Sequence, residues 1–139
     1  MALEEYRPPT EVKLAALWAS TMFCYIYCDY FGLYIVGTVD EMNRGILGPL
    51  GPATPVGLVS VSVLMAVPSL MIALSLLLPA TVSKWANIGL GLFYTGIEAL
   101  TVPGSPPFYI LLGGIEMILT LTIAVVALRW PKASETSDH

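Results

Sequence analysis

The chain has 139 residues, 56% of them apolar and 12% charged, with a formal net charge of −4 and a mean hydropathy of +0.77. A soluble domain carries roughly 25% charged residues and could not cover this much apolar surface, so lipid is the expected solvent. The acidic balance and the lack of any basic run argue against nucleic acid as a partner.

Four stretches have the length and composition of membrane spans: residues 12–36, 56–78, 82–102 and 107–130. About 20 residues of helix cross a hydrocarbon core, and helix is the only open-ended structure that satisfies its own backbone in lipid. The predicted fold is therefore all-α, an antiparallel four-helix transmembrane bundle forming one domain over 1–139. The first stretch is expected to remain as a span rather than act as a signal peptide, because Glu4, Glu5 and Glu11 crowd its start and Asp29 interrupts it. Residues 37–55 form the outer loop, in which Thr38 and Glu41 have the spacing of a capping box for a short interfacial helix, followed by extended chain through a Gly/Pro run. The later connections are short, so spans two, three and four should be antiparallel neighbours. Residues 131–139 read as a disordered cytoplasmic tail.

Arg7, Lys13, Lys84, Arg129 and Lys132 fall on the side shared by both termini, and Arg44 alone on the other. The positive-inside rule then predicts a multi-pass cell membrane protein with cytoplasmic N- and C-termini. Trp18, Trp85 and Trp130 stand near the cytoplasmic ends of spans one, three and four, as an interfacial belt would.

Asp29, Glu98 and Glu116 lie inside the spans. A carboxyl at bilayer depth costs at least ~2.5 kcal/mol on insertion scales, so these three are the candidate catalytic residues. Asp29 is about seven residues before the outer end of span one, Glu98 about five before that of span three, and Glu116 about nine into span four, which places all of them in the outer half. Each belongs to a polar stripe at helical spacing: Trp18, Met22, Tyr25, Asp29 and Gly32; Asn87, Gly91, Tyr94, Glu98 and Thr101; Tyr109, Gly113, Glu116 and Thr120. Converging stripes would form a pocket open to the outer leaflet, with Tyr25, Tyr94, Tyr109, Trp18, Met22, Asn87 and Thr120 as ligand-binding residues. Ser62, Ser69 and the Pro68 kink would supply a wall from span two. Lys13, Lys84 and Arg129 stand at the opposite ends of their spans from the acids, and no Lys or Arg lies deeper, so at least one acid is expected to carry a proton at neutral pH. The competing expectation is that Asp29 and Glu98 pair with Arg44 or bond a tyrosine as structural glue. Tyr-x-x-x-acid recurs at Tyr25/Asp29 and Tyr94/Glu98, a hint of two parallel hairpin repeats.

Gly89, Gly91, Gly96, Gly113 and Gly114 read as close-packing residues, or as a homodimer face. Cys24 and Cys28, one turn apart on one helix, read as packing residues rather than a disulfide or redox pair. With one histidine, His139, no metal site is expected, and no motif calls for a cofactor.

The run Lys13-Leu14-x-x-Leu17-Trp18, then Tyr25-x-Tyr27-x-Asp29, Pro68-x-x-Met71 with Leu74-Ser75, Trp85-Ala86-Asn87-Ile88-Gly89, Tyr109, Ile115-Glu116, Thr120 and Arg129-Trp130-Pro131 resembles a family of small four-helix bacterial membrane proteins of unknown function, loosely DoxX-like. The resemblance implies a four-helix membrane fold, with Asp29 and Glu116 on matching positions, and no established activity. Three readings follow. The first is a pocket for an apolar or lipid-like small molecule, such as a terpenoid, with acid/base catalysis of the isomerase, epoxide hydrolase or cyclase type. The second is a proton-coupled small transporter acting as a homodimer, and the third a non-catalytic accessory subunit of a membrane complex.

Overall fold

A computed structural model describes residues 3–132; His139 and most of the expected tail lie outside them. The chain folds as α1 (Thr10–Gly32), α2 (Thr38–Asn43), a 3-10 turn (Gly48–Leu50), α3 (Pro55–Leu77), α4 (Ala80–Thr101) and α5 (Pro107–Leu128). Prolines set most of the starts. Pro55 and Pro107 occupy first helical positions, where a missing N–H costs nothing, and Pro9, Pro79 and Pro106 precede α1, α4 and α5. Thr54 adds a side-chain cap to α3, its hydroxyl accepting from Gly57 N–H at 3.1 Å.

The long helices match the expected spans except at the end of the first. α1 stops at Gly32, four residues short of position 36, where successive i→i+3 bonds from Leu33, Tyr34 and Ile35 tighten and unwind the turn. Gly37 then takes φ +93°, which only glycine adopts at low cost, and itself precedes α2. Thr38 is thus the first helical residue rather than the cap, and the expected capping box does not form. The Gly/Pro run is also not extended. Gly45, Gly48 and Gly51 have positive φ, an isolated bridge joins Ile46 to Pro52, and Ala53 N–H reaches Gly45 C=O at 2.7 Å.

α1 packs along α3 and α5, and α5 along α4, whereas α3 touches α4 only lightly. Hence α1 and α4, the two helices with Tyr-x-x-x-acid, stand at opposite corners. The intimacy of α4 and α5 has a local cause. A methyl on Gly91 would lie 2.8 Å from Thr120 C=O and 3.1 Å from Ala124 N, so glycine is what lets the two backbones meet. Gly113 likewise faces the Val102 side chain, while Gly89, Gly96 and Gly114 have open space where a Cβ would be and make no close approach. The α3–α4 seam has no such glycine; the Tyr94 ring stands in it.

Beside an apolar core that includes Leu14, Trp18, Met71 and Ile123, the bundle buries an unusual number of polar groups. The interior holds Thr21, Ser75, Ser83, Asn87, Glu98, Glu116 and Thr120. The exterior shows apolar stripes at seven-residue spacing, Val56, Val63, Leu70 and Leu77 on α3 and Leu111, Ile118 and Val125 on α5. α3 and α5 are each long and apolar enough to cross a membrane.

Candidate functional site

The floor of the site is a buried polar knot. Trp18 of α1 is fully buried and donates Nε1–H to Asn87 Oδ1 of α4 at 2.7 Å; Ser75 of α3 donates to the same oxygen at 3.3 Å. Asn87 Nδ2 in turn donates to Ser83 C=O at 2.8 Å, so one amide ties three helices. Trp18 is therefore a core residue and not part of an interfacial belt, whereas Trp85 is exposed as a belt residue would be.

Above the floor, Tyr94 presents its ring edge-on to Trp18, with centroids 5.9 Å apart, and faces Tyr25 at 6.4 Å. Its phenol donates to Leu64 C=O on α3 at 2.5 Å. That carbonyl is one turn before Pro68, the single proline inside a helix among the described residues, and Pro68 has no N–H to offer it. The phenol thus replaces the backbone donor that proline removed.

Between these tyrosines and the outer surface lies a cavity of about 110 Å³ to which all four long helices contribute. Glu98 and Glu116 line it and are 4% and 2% exposed. Glu98 Oε2 lies beside Gly113, 3.4 Å from where a Cβ there would be, which brings the α4 carboxyl onto the face of α5 one turn from Glu116. Tyr25 OH, Glu98 Oε2 and Glu116 Oε1 are buried on this wall with no partner outside their own group, Glu98 standing close enough to hydrogen-bond both Glu116 and Tyr25. Buried polar atoms are paired in the great majority of cases, so two carboxyls and a phenol that have only one another beside a void mark an unusual place.

Asp29 is placed differently from Glu98 and Glu116. Because α1 ends early, Asp29 is in its last turn and exposed, at the mouth rather than at depth. A second, larger space of about 550 Å³ lies outside it, beneath α2 and the loop. Cys28, Asp29 and Tyr109 line both spaces and form the neck between them. Among the described residues no lysine, arginine or histidine lines either space, and the one ion pair is Arg7–Glu5 at 3.2 Å. Arg44 donates to Asp40 C=O at 3.3 Å, so the pairing with Asp29 or Glu98 is not made.

Of the expected site residues, Asp29, Glu98, Glu116, Tyr25, Tyr94 and Tyr109 therefore meet around the inner cavity. Trp18 and Asn87 lie in the floor, Met22 packs on the core, and Thr120 meets Thr95 at 2.8 Å between α4 and α5. Ser62 and Ser69 are exposed and donate to their own helix at Leu58 and Met65, so they build no wall. The α3 wall is Leu64 and Met65, and Cys28, Ile97 and Thr101 complete the lining; apart from Thr101, their apolar character left no polar signal to find them by.

The family model for a family of unknown function, DUF6326, matches residues 1–137. The chain belongs to that family. No curated protein and no solved structure matches it.

Proposed function

We propose that this member of the family is a cell membrane protein with four spans and cytoplasmic termini, and that its inner cavity receives the polar end of an apolar or lipid-like small molecule entering from the outer leaflet. The observation that carries the reading is the buried cluster of Tyr25, Glu98 and Glu116, whose oxygens have no partner beyond one another, on the wall of one void. An unsatisfied buried polar group costs about 1–3 kcal/mol, and more when charged, so a ligand that supplies partners gains what the empty fold forgoes.

The spans are supported by the outward apolar stripes and by the length and apolar character of α3 and α5. α1 and α4 are more polar in composition, yet Glu98 points inward and the basic residues stand near helix ends, which is how a polar helix is shielded in a bilayer. Arg7, Lys13, Lys84, Arg129 and Lys132 all belong to one end of the bundle, which favours that end as cytoplasmic. At the other end Tyr27, Tyr30, Phe31 and Tyr34 are exposed and in ring contact, Tyr27 stacked on Phe31 and Tyr30 edge-on to Phe31 and Tyr34, as an aromatic belt at headgroup level would be.

Volume limits what enters. About 110 Å³ holds the equivalent of roughly three or four waters, enough for a headgroup but not for a whole lipid. The outer space, at about 550 Å³, falls within the usual range for small-molecule sites of roughly 300–1,000 Å³. Paired carboxyls on one void are the arrangement that serves proton donation and uptake, so Glu116 and Glu98 are the groups assigned to chemistry on the bound molecule. The test is mass spectrometry of small molecules retained through purification in lipid nanodiscs. Wild type and Thr101→Ala should retain the same apolar molecule and Thr101→Phe, which fills the cavity, should lose it. The reading falls if wild type carries nothing beyond the lipids that Thr101→Phe carries as well.

A further inference from the structure

We infer that the ligand of this pocket is a cation, an amphiphile whose compact ammonium group enters the inner cavity and whose apolar body occupies the outer space; the inference rests on the pocket reading above. No positively charged side chain lines the cavity among the described residues; what it offers a ligand are carboxyls, hydroxyls and electron-rich rings. Glu98 and Glu116 line the cavity together. Tyr25, Tyr94 and Tyr109 surround them with ring faces and edges, and Asp29 stands at the neck. Aromatic rings and carboxylates both attract an ammonium, and the attraction grows when water is excluded. A neutral ligand bonds the hydroxyls but gains nothing from carboxylate charge, and an anion is repelled by it.

The absence of an internal cation gives the argument its force. Among the described residues no lysine, arginine or histidine reaches the lining. The titratable groups that face Glu116 and Glu98 are Tyr25, Cys28 and Asp29 from α1, Tyr94 from α4 and Tyr109 from α5, with only Leu64 and Met65 from α3. None of them is a base that could neutralise a carboxylate by carrying a positive charge. A carboxyl in such a place holds a proton until a better cation arrives. Binding is then an exchange: the ammonium enters, the O–H bond of one carboxyl breaks, the carboxylate stays with the ammonium, and one proton leaves to solvent. Affinity for the cation must accordingly rise with pH, while affinity for an uncharged molecule of the same shape stays flat.

The experiment compares dodecyltrimethylammonium with its uncharged isostere 2,2-dimethyltetradecane on the full-length protein in nanodiscs. Binding is read against empty nanodiscs by native mass spectrometry, and proton release by a pH dye in weak buffer. We expect a preference for the cation of about tenfold or more, with proton release and tighter binding as pH rises. The Glu98→Gln, Glu116→Gln double variant should lose the preference and the proton release, and retained binding of the isostere shows that it is folded. Equal binding of both probes to wild type, or cation binding without proton release, overturns the inference while leaving the pocket intact. Binding of neither probe overturns both.

Discussion

Asn87 is the residue on which the inner half of the bundle converges, since its side chain receives Trp18 and Ser75 and gives to Ser83. Asn87→Ala leaves a buried indole N–H without an acceptor, and should cost about 1–3 kcal/mol, more than the roughly 0.6 kcal/mol average for a membrane hydrogen bond. Unfolding in detergent mixtures measures it; a loss no larger than that of an exposed-site control would show that the knot is ornamental. The glycines offer a sharper comparison. Gly91→Ala places a methyl against backbone atoms of Thr120 and Ala124 that cannot rotate away, and should cost about 1–3 kcal/mol, whereas Gly96→Ala meets open space and should be neutral or slightly stabilising through helix propensity. At this scale the sequence was half legible. The acids and tyrosines announced themselves because ionisable and phenolic groups are rare in apolar runs. Trp18 was misplaced because a tryptophan near a helix end suits an interface and a buried knot equally well, and only the acceptor on another helix decides. Which glycines approach a neighbour depends on helix rotation, which five scattered glycines do not encode.

α3 shows how an element can carry a defect and have it repaired from outside. Pro68 frees the Leu64 carbonyl, and Tyr94 of α4 satisfies it. A double-mutant cycle isolates the relation. Tyr94→Phe alone should cost about 1–3 kcal/mol by orphaning that carbonyl. In a Pro68→Ala background, where the backbone N–H of position 68 serves Leu64, the same change should cost little, giving a coupling of about 1 kcal/mol or more. Additive losses would mean that the phenol does not stand in for the missing donor. The helices themselves were legible to within a few residues wherever a proline set the boundary, as at Pro55 and Pro107. The end of α1 was not, because residues 33–36 are as apolar as the helix they follow, and the break there comes from a change of hydrogen-bond spacing and the left-handed Gly37. That one error of four residues moved Asp29 from depth to the mouth. The serines of α3 misled for a related reason: at Ser62 and Ser69 the hydroxyl bonds its own helix and so faces outward at no cost.

For the whole molecule, the proposed orientation makes a direct prediction. In a background with Cys24→Ala and Cys28→Ala, Ser105→Cys should react with a membrane-impermeant maleimide in intact cells, and Lys132→Cys only after lysis; the opposite pattern would invert the topology. The all-helical architecture was legible from composition and run length alone, since these follow from solvent. The existence of two spaces joined by a neck was not, because it depends on the loop folding back over α1 and α5, and Gly/Pro runs encode freedom to turn without saying where.

The lopsided attachment of α3 to α4 has a mechanical corollary. At the Leu78–Pro79 end the two are bound like pages at a spine, by a short connection and the Ser75–Asn87 contact. At the far end the only hydrogen bond drawn across the seam among the described residues is the clasp from Tyr94 to Leu64, and the long loop before α3 leaves its outer end untethered to α4. A clasp that swaps one acceptor for another would let that margin swing, opening the inner cavity sideways rather than through its mouth.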